Sequence, residues 1–182
     1  GFNSNSTENT ISSTGQSTLK VMPDFVKVYF NVQTTALTAK EANDQNSKII
    51  GKMTGSLIDI GFTEDEIKTE SFNVYPNYDW RSGEQKITGY TASHVVNVQM
   101  SLEEKERLGS AIDAGINAGA GINYINYELS EENQKSYKIE AIKSATEDAT
   151  DRARALAEGA GQSLGKLVSI STNDYNYYPT VA

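Results

Sequence analysis

Cysteine is absent from the 182-residue chain. That single absence removes disulfide frameworks, thiolate metal sites and cysteine nucleophiles together. Histidine is nearly as scarce, with His94 alone. No HExxH, GxSxG elbow, phosphate loop or dinucleotide fingerprint occurs either. Positive charge is also in short supply: 16 Lys and Arg stand against 24 Asp and Glu, a net charge of −8. Neutralising phosphates takes a basic stripe, so nucleic acid is excluded as a general partner, and an anionic membrane surface is an equally poor match. No uncharged apolar run approaches the ~18 residues of a membrane span. The 37% of hydrophobic residues instead fall in short periodic runs, which is how a soluble core is written into a sequence.

Residues 1–13 (GFNSNSTENTISS) are almost all small and polar, a composition that cannot offset chain entropy, and they read as a disordered leader. Their Asn5-Ser6-Thr7 sequon is short enough to arise by chance. The folded domain is expected over 14–173. It opens with an alternating run, Gln16 to Met22, and a Pro23-Asp24 turn. Val26, Val28, Phe30 and Val32 then repeat at every second position, so the pair reads as a β-hairpin. Thr38-Ala-Lys-Glu41 is a capping box. Behind it Ala39, Ala42, Ile49, Met53, Leu57 and Ile60 recur at helical spacing until Gly61. Ile67 to Tyr75 alternates again and is expected to stop before Pro76, leaving 77–86 as a loop around Ser82-Gly83.

A return strand over Ile87–Met100 carries Ala92, His94, Val96, Val98 and Met100 on one face. The Ser101-Leu-Glu-Glu104 box starts a second helix with Leu108, Ala111, Ile112 and Ile116, and Ile122–Leu129 makes a further strand. From Val26 the order is β-α-β-β-α-β. The fold class is therefore α+β, a ferredoxin-like (split βαβ) antiparallel sheet preceded by a hairpin. A long helix over about 133–159 follows, with a seam of Ile142, Ala145, Ala149, Ala153, Leu156 and Ala160, and then a final strand over Leu167–Thr172. A seam of small residues permits close helix contacts, and Ala145, Ala149, Ala153 and Leu156 are its candidate packing positions.

Chemistry-bearing constellations are few. His94 lies on an apolar strand face with no second His or paired carboxylate spaced to join it, so it reads as a structural histidine. Glu64-Asp-Glu66 and the Glu147, Asp148 and Asp151 group lack the alternating ligands and glycine of a calcium loop. For the first of them, acidic residues in an opening helical turn are explained by the helix dipole. No catalytic residue, metal or cofactor is expected. The unusual feature is aromatic: of ten Tyr and one Trp, Tyr75, Tyr78, Trp80 and Tyr90 cluster near the hairpin, and Tyr175, Tyr177 and Tyr178 lie in the tail 174–182. Such rings are favoured at protein interfaces and sugar-binding surfaces, and these seven form the candidate interaction surface.

Taken in order, Ser13-Thr-Gly15 and Val21-Met-Pro-Asp24, Ala42 with Asn46, Thr69-Glu-Ser-Phe72 with Tyr75-Pro-Asn-Tyr78, Ile87 through Ser93, Leu108 through Asp113, Ile122-Asn123 with Leu129-Ser130, and Ala153, Leu156-Ala157, Gly161 and Leu164-Gly-Lys166 resemble the SIMPL-domain family. The resemblance implies paired βαβ units with a long extra helix, export to the periplasm or cell surface, and no assigned catalytic set. Similar proteins form ring- or channel-like oligomers in the cell envelope and are associated with stress tolerance. The expectation is a non-enzymatic, exported protein that forms a homo-oligomer and is tethered through its leader. The alternative is an envelope module that recognises a peptide or glycan through its Tyr and Trp surface.

Overall fold

The computed structural model describes residues 9–173. Pro23–Ser130 form one compact unit, and the described residues before Pro23 form another with those from Glu131 onward.

The first unit is built on four strands: β1 (Phe25–Ala36), β2 (Ile67–Asp79), β3 (Lys86–Ser101) and β4 (Gly121–Glu128). They lie in the order β2-β3-β1-β4, every pair antiparallel. Two helices, α1 (Ala39–Asp59) and α2 (Lys105–Ala118), complete the β-α-β-β-α-β order, and the strand order is that of the split βαβ fold. Alternation decides the faces. Val26, Val28, Phe30 and Val32 of β1 are buried, and the register places them beside Met100, Val98, Val96 and His94 of β3. Met53 and Leu57 of α1 and Ala111 and Ala118 of α2 close this core with Phe62.

Helix ends follow their local chemistry. Thr38 Oγ1 accepts from the Glu41 amide at 3.1 Å, satisfying one of the orphan donors of the first turn of α1. Gly119, at φ 108°, ends α2 in the left-handed conformation that a side chain disfavours. One buried residue in α1 is polar. Asn46 donates from Nδ2 to the carbonyls of Val32 and Ala92, at 2.8 and 3.1 Å, and so ties the helix to β1 and β3 at once.

In the second unit α3 spans Glu131–Gly159. The N-terminal segment lies along it: Ser13 Oγ donates to the Ala149 carbonyl at 2.6 Å, the Gln16 amide to Asp148 Oδ2 at 2.9 Å, and Ser17 Oγ to the Ala141 carbonyl at 3.0 Å. Gly15 fits there because it has no Cβ. One built on it would lie 1.9 Å from the Ala145 carbonyl oxygen.

Three sequence expectations need correction. Residues 16–22 carry no regular secondary structure, so they form no hairpin with β1. Their polar groups bond to α3 where ladder partners were expected. Leu167–Thr172 likewise forms no strand, and Leu167, Val168 and Ile170 are exposed, so alternation there has no surface to bury. Pro76 does not end β2, which continues to Asp79 and leaves only residues 80–85 as the loop. An edge strand tolerates proline, because a missing donor there costs no ladder bond on the open side.

Candidate functional site

Beyond Gly89, the last buried residue of β3 toward the tip, the β2–β3 hairpin becomes an exposed arm. Its faces follow from the register: Phe72, Val74 and Pro76 pair with His94, Ala92 and Tyr90, and so share the side of the sheet that carries the helices. On β1 and β3 that side is covered, since Thr34 and Ala92 are buried and Thr34 Oγ1 donates to the Ala42 carbonyl of α1 at 2.6 Å. On β2 it is open. Phe72 is 46% exposed and Val74 38%, and Tyr78, Ile87 and Trp80 continue the apolar strip to the tip. The Tyr78 and Trp80 rings lie 6.3 Å apart, tilted by 48°.

The expected aromatic cluster is therefore divided. Tyr78 and Trp80 sit together, whereas Tyr75 belongs to the opposite face, where its hydroxyl accepts from Gln33 Nε2 at 3.3 Å. Tyr90 is half-buried beside Ala36 and Pro76. Tyr175, Tyr177 and Tyr178 lie outside the described residues. Phe72, Val74 and Ile87 were not singled out as surface residues, because alternation marks which positions share a face but not where the covering helix ends. Within the seam of α3, Ala145 and Ala149 meet Gly15 of the same chain, Ala153 is half-buried and Leu156 exposed.

The other face of the sheet is a polar network. Tyr29 and Tyr124 stack at 4.3 Å, Lys27 pairs with Glu128 at 3.2 Å, Thr35 and Thr91 share a hydrogen bond of 3.1 Å, and Asn97 donates to Glu70. Burial, reinforced by Glu128 and Glu70, pushes the Tyr29 hydroxyl above its usual 10.0, so the ring stays neutral in ordinary conditions. His94 Nε2 lies 2.9 Å from Thr69 Oγ1, and its ring meets Phe72 edge-on at 5.3 Å. Desolvation lowers its pKa from 6.5. A neutral imidazole against a hydroxyl and a phenyl ring is a packing arrangement. Among the described residues no group of three or more His, Asp or Glu is placed to hold a metal ion.

The candidate site is thus the exposed apolar strip of the β2–β3 arm. Residues 11–182 match the model of SIMPL, described as a protein of unknown function (DUF541). The chain belongs to the SIMPL family. A 26 kDa periplasmic immunogenic protein of Brucella melitensis is 29% identical to it over 170 residues, covering 88% of this chain and 65% of the relative. The protein of the same description from Brucella abortus is 28% identical over the same shares. An uncharacterized protein YggE of Edwardsiella ictaluri is 27% identical over 167 residues, 91% of this chain and 68% of its own. This SIMPL chain therefore spans just under two thirds of the length of the two Brucella relatives. Among the described residues, no helix is long and apolar enough to cross a membrane.

Proposed function

We propose that this chain is a non-enzymatic, exported cell-envelope protein that self-assembles through its exposed hairpin arm. The observation that carries the assembly is the apolar strip of Phe72, Val74, Tyr78, Trp80 and Ile87 on the open side of β2 and β3. A monomer gains nothing from leaving such side chains in water, whereas contiguous apolar surface of this kind is what subunit contacts bury. Export is supported by the relatives described as periplasmic. Closure into a ring or channel, with a part in stress tolerance, is the form of assembly this reading favours, and the polar leader would tether it. The exposed Leu156 end of the α3 seam offers a second contact. Size-exclusion chromatography with light scattering tests the reading. An oligomer whose mass falls when Trp80 and Ile87 are both changed to Ser supports it, and a monomer at high concentration refutes it.

The close Tyr78 and Trp80 rings favour one other reading, a module that holds a peptide or glycan of the envelope. Trp80→Ala would then abolish retention on envelope fractions without changing the melting temperature. Retention equal to that of the unmodified chain would dismiss it.

A further inference from the structure

Sheet edges invite pairing, and the edge formed by β2 is protected except over five residues. β2 is an edge strand of thirteen residues. Its first part carries Lys68 and Glu70, with a register irregularity between Thr69 and Ser71. Its last part carries Pro76, a second irregularity between Asn77 and Tyr78, and Asp79. Charges, prolines and bulges are the means by which proteins blunt an edge. Between them, Ser71-Phe-Asn-Val-Tyr75 contains no charge, glycine, proline or bulge, and all five residues are exposed.

We infer that Ser71–Tyr75 pairs antiparallel with the same residues of a second copy, about a two-fold axis at Asn73. This rests on the self-assembly reading above and names the strand that makes the contact. The stretch is complementary to itself in that register. Phe72 faces the partner's Val74 and Val74 the partner's Phe72, both on the open apolar side, and aromatic with β-branched is a favourable cross-strand pair. Ser71 faces the partner's Tyr75 on the polar side. Moving the axis to Ser71 would set Phe72 against a glutamate and Val74 against a lysine, and moving it to Val74 would set Phe72 against a proline. Outside the five residues the chosen register puts Lys68 opposite Tyr78, Glu70 opposite Pro76 and Asp79 opposite Ile67. No like charges meet, which matters for a chain of net charge −8. One patch that satisfies both partners is what a two-fold contact requires. Five residues a side is below the ~800 Å² per partner of a standard interface, so the pair belongs to the weaker, concentration-dependent class.

Because the chain has no cysteine, Asn73→Cys introduces a single thiol on the proposed axis. Directly opposed residues of an antiparallel pair have Cα atoms about 4.5–5.5 Å apart, within disulfide range. Mild oxidation should convert Asn73→Cys to a covalent dimer at least ten times faster than Ser110→Cys, on the exposed side of α2. Val74→Lys, at a surface position, should keep the circular dichroism spectrum and lower the mass by light scattering. An oligomer in which Asn73→Cys crosslinks no faster than Ser110→Cys, or whose mass Val74→Lys leaves unchanged, overturns the strand pairing but keeps self-assembly. A monomer at every concentration overturns both.

Discussion

Gly115 offers a sharp test of how the sheet and helices meet, because two effects of known size oppose each other there. Replacing a mid-helix glycine with alanine ordinarily stabilises by about 0.8–1.0 kcal/mol, through helix propensity. At Gly115 of α2 the added Cβ would lie 2.2 Å from Phe30 Cε1, 2.6 Å from Cδ1 and 2.9 Å from Cζ. Carbon atoms in contact want about 3.5–4.0 Å, so more than an ångström must be found. Phe30 cannot supply it cheaply, being fully buried in the core beside Val96. Overpacking of this sort costs about 1–3 kcal/mol, with so deep an overlap at the upper end. The balance predicts that Gly115→Ala destabilises by ~2 kcal/mol. Gly109 is the control: it lies in the same helix with nothing within 4 Å of its added Cβ, so Gly109→Ala should stabilise by up to ~1 kcal/mol. Urea unfolding followed by far-UV circular dichroism would separate the two by ~3 kcal/mol. Phe30→Leu, which shortens the ring side, should cost less in the Gly115→Ala background than alone. Equal stability of the two alanine variants would refute the packing of α2 on Phe30.

Asn46→Ala removes both bonds to the strand carbonyls from a buried site and is expected to cost about 2–3 kcal/mol in the same urea assay. Asn46→Asp, which turns a carboxylate toward those carbonyls, should be worse. Gly15→Ala drives a Cβ into the backbone of α3, at the Ala145 carbonyl and the Ala149 amide. Residues 13–17 should then lift away, and hydrogen exchange at the Gln16 amide should quicken at least tenfold with α3 itself unchanged. For His94 the folded pKa lies below 6.5, so the unfolded chain binds the proton first. Stability should fall as pH drops through 6.5 and level off below the folded pKa, and His94→Gln should abolish that part of the profile. The carboxyl of Asp148 has its own window. Its carboxyl is held below the usual 3.8 chiefly by the Gln16 amide, so that docking contact persists above the ordinary carboxylate range and weakens as pH falls through the folded value.

Much of the first unit was legible because its strands are half-buried and its helices amphipathic. Val26 to Val32 could only alternate as they do if one face met a core, and Thr38 announces where α1 begins. Two kinds of information were not local. Pro76 reads as a stop in any strand with neighbours on both sides, and only the sheet order reveals that β2 has one neighbour. Residues 16–22 and 167–172 alternate as strands do, but alternation supplies no partner, and the first of these is held by hydroxyl and amide contacts to α3. Asn46 stood among the residues carrying the family resemblance without a role. Its spacing of four from Ala42 and seven from Met53 put it on the buried stripe of α1, which is the signal that would have marked it as a buried polar tie. At the arm, the identity of Trp80 and Tyr78 was evident, whereas the exposure of Phe72 and Val74 depended on how far α1 reaches across the sheet.

The position of the one tryptophan has a practical consequence. Trp80 is 63% exposed at the tip of the arm, with the Tyr78 ring 6.3 Å away. Its indole emission therefore comes from a single place in the molecule, red-shifted while water surrounds the ring, and Tyr78 is close enough to pass it excitation energy. Anything that covers the tip must shift that emission to the blue and shield it from a dissolved quencher. Events confined to α1 or α2 should leave it nearly untouched. The chain carries an intrinsic optical reporter whose field of view is the arm, so occupancy of that surface can be followed without a label.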